Sequence, residues 1–296
     1  MIPTVGMVLR ETALFFTKRG LTAARLEAEL LMAHLLGTDR LRLYTEGDRP
    51  LNKEEIAAYK DLIRQRLSGQ PLAYITGKKS FLSWEFQVTP AVLVPRPETE
   101  LLVEKVVDAC RSLPAGRLLE LGTGSGIIAI SLAHYLPAFS IDAVDLSPAA
   151  LEVAVANAEA HRQKERVNFY CGDLYAALPG PGGPMFTGIV SNPPYIPTAV
   201  IPTLAKEVRQ EPRLALDGGA DGTAVIRRII AEAPRWLTPG GFLALEHGYD
   251  QFPAVQKMAK EAGFARIASY RDYAGWPRVA VCYLPRPEEG GAGKEG

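Results

Sequence analysis

The feature that most constrains the fold is a short apolar run that ends in closely spaced glycines. Residues 118–126 read LLELGTGSG, and an apolar run with helical character follows over residues 127–136. The glycines allow a ligand to approach the backbone closely. The dinucleotide fingerprint G-x-G-x-x-G requires glycine at position 127, where this chain has Ile127, so a nicotinamide site is disfavoured.

From Leu118 onward, apolar strand-like runs alternate with helical patterns. This alternation predicts an α/β domain with a mostly parallel sheet and helices on both faces. The last two predicted strands are joined by so few residues that we expect them to be antiparallel. The predicted strands are 117–121, 140–146, 167–171, 188–191, 241–246, 264–270 and 278–284.

The first 70 residues have a different pattern, with apolar residues recurring every three or four positions. It predicts helices over residues 5–19, 22–36 and 52–69. Gly20 and Gly37 stand where helices end, and Asn52 with Glu55 is typical of a capping box. Nothing in this predicted bundle indicates catalysis.

Between residues 70 and 90 the apolar period changes to two, which predicts a hairpin that joins two domains. We therefore expect a helical N-terminal domain over residues 1–70, a hairpin linker over 71–94 and an α/β domain over 95–286. The Gly- and Glu-rich segment 287–296 has no apolar anchor and is expected to be disordered.

Composition excludes several classes of function. The 33 basic and 33 acidic residues cancel, so no global positive field is available to hold a nucleic acid. The three cysteines have no paired spacing, which indicates reduced thiols in the cytoplasm. No apolar run reaches the roughly 18 to 20 residues of a membrane span. The spacing of the histidines predicts no metal site. We also expect the protein to be a monomer.

The segment 189–195 (IVSNPPY) is the strongest candidate for the reacting centre. Its prolines force the backbone out of the sheet in a stiff turn after Asn192. Asn192 offers a side-chain carbonyl, Pro193 a backbone carbonyl without a competing N–H, and Tyr195 an aromatic face with a hydroxyl. Such a pocket suits a planar NH2 group.

Carboxylates also follow predicted strands. Asp145 ends the second strand, where an acidic residue can accept hydrogen bonds from both hydroxyls of a ribose. Asp173 follows the third strand. Because ligands bind outside the carboxyl ends of parallel strands, we expect Gly122, Asp145, Asp173 and Asn192 to meet in one cleft.

Residues 120–126, Asp145 and 192–195 resemble the class I S-adenosylmethionine-dependent methyltransferases, specifically the amino-methylating group marked by Asn/Asp-Pro-Pro-Tyr. With residues 94–100 (VPRPETE) added, nearly the whole chain resembles the release-factor glutamine-N5 methyltransferase family. The resemblance implies a seven-stranded Rossmann-like sheet with an N-terminal helical bundle that holds the protein substrate.

The resemblance also assigns the site. The cofactor would be S-adenosylmethionine, with S-adenosylhomocysteine as product, and the acceptor would be the glutamine of a Gly-Gly-Gln motif in class I peptide release factors. Asn192 and Pro193 would be catalytic, and with Pro194 and Tyr195 they would bind the substrate. The predicted cofactor-binding residues are Gly122, Thr123, Gly124, Ser125, Gly126, Asp145, Asp173, Leu174 and Asn192.

Residue chemistry alone indicates only an NH2 acceptor, so other functions stay open. One is an adenine-N6 or guanine-N2 methyltransferase acting on nucleic acid, which the zero net charge disfavours. Another is a glutamine methyltransferase acting on a ribosomal protein, and a third is a non-catalytic binding protein. Arg96 could position a substrate carboxylate or cap a helix.

Overall fold

The computed structural model describes residues 2–179 and 185–286. These residues form two compact units. One extends to Lys78 and includes Ala205–Gln210, and the other contains Lys79–Leu204 and the chain from Glu211 onward. The predicted domain boundaries at residues 70 and 94 stay predictions, and the predicted disordered tail 287–296 lies outside the described residues.

The first unit is helical, as its apolar spacing predicts. Its core contains large side chains that are fully buried, among them Phe16, Leu31, Met32 and Tyr59. The helices are α1 (Val5–Lys18), α2 (Ala24–Leu36), α3 (Arg40–Thr45), α4 (Lys53–Leu67) and α5 (Leu72–Thr76).

The signals for helix ends are confirmed. Gly37 ends α2 in the left-handed conformation at φ 60°, which glycine adopts without strain. Asn52 accepts from the Glu55 backbone N–H at 2.7 Å, and the Glu55 carboxylate accepts from the Asn52 N–H at 2.9 Å, which completes the capping box. The sequence missed α3 and α5, whose five or six residues are too few to show a helical period.

A buried arginine connects distant parts of this helical unit. Arg66 on α4 binds the Glu27 carboxylate of α2 at 2.5 Å and the Glu207 carboxylate at 2.8 Å. Arg66 is 8% exposed, so both partners offset the loss of its hydration. Segment Ala205–Gln210 thus contributes a charge partner to helices that lie more than 100 residues earlier in the chain.

The predicted hairpin is present but begins later than expected, because α5 occupies residues that were read as strand-like. Its strands are β1 (Lys78–Phe81) and β2 (Trp84–Gln87). Phe81 and Phe86 are fully buried and pack edge to face, with ring centroids 6.2 Å apart. The aromatics therefore serve packing, as the alternating pattern indicates.

The second unit contains a seven-stranded sheet in the order β5-β4-β3-β6-β7-β9-β8. All pairs are parallel except those of β9 with β7 and β8, so the predicted antiparallel ending and the fold class are confirmed. The strands are β3 (Gly116–Leu121), β4 (Phe139–Asp145), β5 (Val167–Cys171), β6 (Phe186–Ser191), β7 (Leu237–Glu246), β8 (Arg266–Arg271) and β9 (Pro277–Tyr283).

Helices cover both faces of this sheet because successive strand residues point in opposite directions. Leu118 joins the core beneath one helical layer, and Leu119 joins the opposite core. The first layer is formed by α6 (Glu98–Cys110), α7 (Ile127–Tyr135) and α8 (Pro148–Ala160), and the second by α9 (Ala224–Glu232) and α10 (Phe252–Glu261). In the described part of the chain, no helix is sufficiently long and apolar to span a bilayer.

Candidate active site

The carboxyl ends of β3, β4 and β6 meet around one cavity of about 400 Å³. Most of the predicted site residues line it. Those in the lining are Gly122, Thr123, Gly124, Ser125, Asp145, Asp173, Leu174, Asn192 and Pro194, whereas Gly126, Pro193 and Tyr195 lie outside the lining that the structure describes.

The glycine loop supplies bare backbone to this cavity. Gly122 and Gly124 have φ values of 76° and 54°, which other residues rarely adopt, and nothing lies within 4 Å of a Cβ built on either residue. That open space is where a ligand can contact the backbone. Gly126 differs, because a Cβ there would meet Ala154 at 3.2 Å, so this glycine lets α7 and α8 pack closely.

Asp145 links the end of β4 to the glycine loop. One carboxylate oxygen accepts from the Gly124 N–H at 2.8 Å, and the other accepts from the Ser147 N–H at 2.9 Å. A carboxylate oxygen can accept two hydrogen bonds, so each retains capacity for a ligand hydroxyl. This capacity is what two ribose hydroxyls would require, and their binding to Asp145 stays a prediction.

Asp173 and Leu174 follow β5 at the rim of the cavity. The Asp173 carboxylate forms an ion pair with Arg228 at 2.7 Å, and both side chains are about half exposed. Leu174 has a left-handed backbone at φ 49°, a conformation that leucine rarely adopts. The ion pair was not foreseen, since Arg228 belongs to a helix distant in the sequence.

Glu120 is a buried carboxyl in the cavity wall to which sequence reasoning gave no role. It is 1% exposed, and one oxygen accepts from the Thr123 hydroxyl at 2.7 Å and from the Ala129 N–H at 2.9 Å, while the other has no protein partner. Burial raises its pKa to about 8 against these two hydrogen bonds. The sequence did contain a signal for this residue, because Glu120 is the acidic residue within the apolar run of β3.

The acceptor segment is anchored at both of its ends. Asn192 donates from Nδ2 to the Thr99 hydroxyl at 3.1 Å, and the Tyr195 hydroxyl donates to Glu246 at 3.2 Å. The Tyr195 carbonyl accepts from the Gln251 side chain at 2.9 Å. The stiff turn expected from the prolines is thus also held by side chains from three other elements.

Glu246 ends β7 and is 1% exposed. Burial, with a smaller contribution from the negative charge of Glu98, raises its pKa to about 7. Hydrogen bonds from Thr99 and Tyr195 and the positive charge of Arg278 oppose this shift. Burial and the negative charge of Glu246 also raise the pKa of the Tyr195 hydroxyl, which therefore stays protonated.

Arg96 lines the cavity and is paired with a carboxylate of its own chain. Its guanidinium lies 2.5 Å from Glu211, which also accepts from the Val94 N–H at 3.0 Å. Glu211 is 5% exposed, so this pair fixes the loop before α6. Arg96 therefore anchors this loop. Among the described residues, no side chain caps the start of α6, and a role in positioning a substrate carboxylate stays a prediction.

The carboxylates of the acidic loop 217–222 bind groups of their own chain. Asp217 accepts from the Thr198 hydroxyl at 2.5 Å and from the Gly219 N–H at 3.1 Å, and Asp221 accepts from Thr223 at 2.8 Å. Over residues 2–179 and 185–286, no group of three or more potential ligands is arranged to hold a metal ion.

Comparison with known proteins identifies the family. The model of the PrmC N-terminal domain matches residues 7–77, and that of the methyltransferase small domain matches residues 97–219. A release factor glutamine methyltransferase from Geobacter sulfurreducens is 44% identical over 278 residues, or 93% of this chain and 95% of the relative. The chain belongs to the release factor glutamine methyltransferase family. A second family member, from Moorella thermoacetica, is 42% identical and covers 95% of this chain and 98% of its own.

A solved structure agrees with the fold. A methyltransferase from Pyrococcus furiosus superposes with a TM-score of 0.52 over 76% of this chain and 99% of its own. Its sequence identity is 16%, so this likeness concerns the fold alone. Together with the family membership, it makes this chain a methyltransferase with a Rossmann-like sheet.

The residues of the cavity fit the cofactor expected for this family, S-adenosylmethionine. The bare backbone at Gly122 and Gly124 can receive a chain-like ligand, and the oxygens of Asp145 retain lone pairs for hydroxyl groups. The buried carboxyl of Glu120 has an unused oxygen that can accept from a cationic amine. S-adenosylmethionine carries all three partners for these residues: a chain-like amino-acid part, ribose hydroxyl groups and a cationic amine.

Proposed function

We propose that this chain transfers a methyl group from S-adenosylmethionine to the side-chain amide nitrogen of the glutamine in the Gly-Gly-Gln motif of class I release factors. One observation carries the proposal. The Asn192 amide gives its NH2 group to Thr99, which leaves its carbonyl oxygen for a ligand in the cavity. A primary amide needs such an acceptor.

Orientation is the main task of the protein in this reaction. An amide nitrogen is a weak nucleophile because its lone pair is delocalised into the carbonyl group. We propose that the Asn192 Oδ1 accepts one N–H of the substrate from the cavity lining. The Pro193 carbonyl, on the next residue but outside the described lining, is proposed to accept the other, so that the nitrogen keeps one face free for the methyl carbon. Positioning of this kind supplies roughly 7 to 11 kcal/mol in favourable cases.

The same two oxygens stabilise the positive charge that develops on the nitrogen during transfer. The described residues in the cavity lining include no Cys, His or Lys that could act as a base or form a covalent intermediate. When bound, the cofactor would supply an electrophilic methyl group: the N–C bond would form as the C–S bond breaks, S-adenosylhomocysteine would leave, and the nitrogen would lose one proton to water. Gly122, Gly124, Asp145 and Glu120 would hold the cofactor.

The partner follows from the family, whose members from Geobacter sulfurreducens and Moorella thermoacetica are called release factor glutamine methyltransferases. A ribosomal protein or an exposed nucleobase also offers an NH2 group. The net charge of zero disfavours a nucleic acid. The first unit, whose helices carry the match to the PrmC N-terminal domain, is proposed to bind the release factor.

The test is incubation of the purified chain with methyl-labelled cofactor and, separately, a release factor, ribosomal proteins and RNA. We expect label only on the release factor, and peptide mass mapping should place one labelled methyl group on its Gly-Gly-Gln glutamine. A release factor with glutamate at that position is the substrate control. Label on RNA or on a ribosomal protein alone would refute the proposal.

A variant pair tests the orienting role. Asn192→Ala should retain cofactor binding but lose methyl transfer by about a hundred- to a thousandfold, as when an oriented catalytic dipole is removed. Asn168→Ala is the matched control, because it also removes a side-chain amide with a hydrogen bond, here to Asp142 at 2.9 Å, but outside the described cavity lining. Equal turnover by Asn192→Ala would refute the role.

A further inference from the structure

The motif at residues 94–100 contains a threonine whose role is not explained by the cofactor or the acceptor turn. We infer that Thr99 and Glu246 are positioning residues that set which end of the Asn192 amide faces the acceptor. This inference rests on the proposed function, since it concerns how the acceptor amide is held.

Two hydrogen bonds run in one direction from Asn192 in the cavity wall to the buried Glu246, and a third reaches Glu246 from Tyr195. Asn192 Nδ2 donates to Thr99 Oγ1 at 3.1 Å, and the Thr99 hydroxyl donates to Glu246 Oε2 at 2.8 Å. The other Glu246 oxygen accepts from the Tyr195 hydroxyl at 3.2 Å. Thr99 and Glu246 are each 1% exposed, so water cannot easily replace either partner.

The direction of this chain follows from the number of hydrogens. Once Glu246 is ionised, its carboxylate only accepts, so it requires the single hydrogen of the Thr99 hydroxyl. Having given that hydrogen away, Thr99 Oγ1 can only accept from Asn192. Asn192 must therefore present its NH2 group to Thr99, and its carbonyl oxygen remains for the ligand side.

The reverse orientation of Asn192 would prevent the proposed reaction. Its NH2 group would then face the NH2 group of the acceptor, and two donors cannot form a hydrogen bond. Rotation by 180° about the last side-chain bond interchanges the two ends with almost no change in shape, so shape alone cannot select one. The buried Glu246 makes the selection through Thr99.

The pair is also built on rigid elements. Thr99 lies in the first turn of α6, and Glu246 is the last residue of β7. Glu246 binds both ends of the acceptor segment, Asn192 through Thr99 and Tyr195 directly. One buried carboxylate thus holds the turn and orients its amide.

The test uses Thr99→Val, which keeps the shape of the side chain and removes the hydroxyl, with Thr99→Ser as the conservative control. With a release factor as acceptor, we expect Thr99→Val to lower kcat by about ten- to a hundredfold, as for a lost hydrogen bond in a charge-linked chain. The KM for the release factor and the Kd for the cofactor should change less than about threefold. Thr99→Ser should restore most of the rate.

A double-mutant cycle separates orientation from general stabilisation. If Thr99 acts only through the asparagine, Thr99→Val should have no further effect on the rate once Asn192→Ala is present. An equal loss in both backgrounds, or a wild-type rate for Thr99→Val alone, would overturn the inference.

A readout without turnover distinguishes this inference from the proposed function. In the free protein, the side-chain NH2 resonances of Asn192 should shift and exchange faster with water in Thr99→Val but not in Thr99→Ser. If the wild-type chain fails to methylate release factors, the proposed function is wrong. The NH2 resonances of Asn192 would still show whether Thr99 orients the Asn192 amide. Unchanged resonances in Thr99→Val would overturn the orienting role.

Discussion

Replacing Glu120 by glutamine should change how the stability of the methyltransferase unit depends on pH. Glutamine has nearly the same shape as the protonated carboxyl group and has no charge to bury. It can still accept from the Thr123 hydroxyl and the Ala129 N–H through its carbonyl oxygen. The wild type and the variant should therefore have similar stability in acid, where both side chains are neutral.

The magnitude follows from the pKa of Glu120, which burial raises from 4.5 to about 8. Between these values the folded protein holds a proton that the unfolded chain has released, so the unfolding free energy falls as pH rises. From pH 5 to pH 8 this amounts to about 3 kcal/mol. The free energy of unfolding of Glu120→Gln should not fall in this way, so the variant should be more stable than the wild type at pH 8 by about the same amount.

Urea unfolding followed by tryptophan fluorescence measures this difference. Trp84, Trp236 and Trp276 all lie in the second unit, so the signal reports on the unit that contains Glu120. Both proteins carry the same Glu246, whose contribution cancels in the comparison. Parallel dependence on pH for the two proteins would refute the reasoning about burial.

Three further outcomes are expected. Asp145→Asn replaces one acceptor oxygen by a donor, so calorimetry should show at least about tenfold weaker cofactor binding; unchanged affinity would contradict the assigned role. Gly126→Ala places alanine at φ 81° with its methyl 3.0 Å from Ile130 and 3.2 Å from Ala154, and unfolding in urea should show a loss of about 2 kcal/mol. The rate of methyl transfer should rise with pH through about 7, where Glu246 ionises and accepts both hydroxyl hydrogens, and Glu246→Gln should abolish this rise.

The sheet could be predicted from the sequence because its strands carry strong local signals. A buried parallel strand is a continuous apolar run, and the predicted range 167–171 is the observed β5. The other strands differ from the prediction at one or both ends by one to four residues. Hydrogen bonding to a neighbouring strand decides where pairing stops, and the sequence does not reveal it. The short helices α3 and α5 were missed because one or two turns show no period.

The site was predicted in part for a similar reason. Glycines, prolines and carboxylates at strand ends have local meaning, so Gly122, Asp145 and Asn192 were expected to meet, and they line one cavity. Partners that depend on packing were not foreseen. Thr99 and Glu246 are 147 residues apart, and no local pattern indicates their hydrogen bond.

The placement of Glu207 affects how this enzyme can be divided into fragments. A gene fragment that ends at Lys78 would encode the α-helices α1 to α5 of the first unit but not Ala205–Gln210. Arg66 would then keep only Glu27 of its two carboxylate partners. A truncated first unit should therefore be made with Ala205–Gln210 attached or with Arg66 replaced. Otherwise a loss of substrate affinity could not be told apart from a loss of stability of the helical unit.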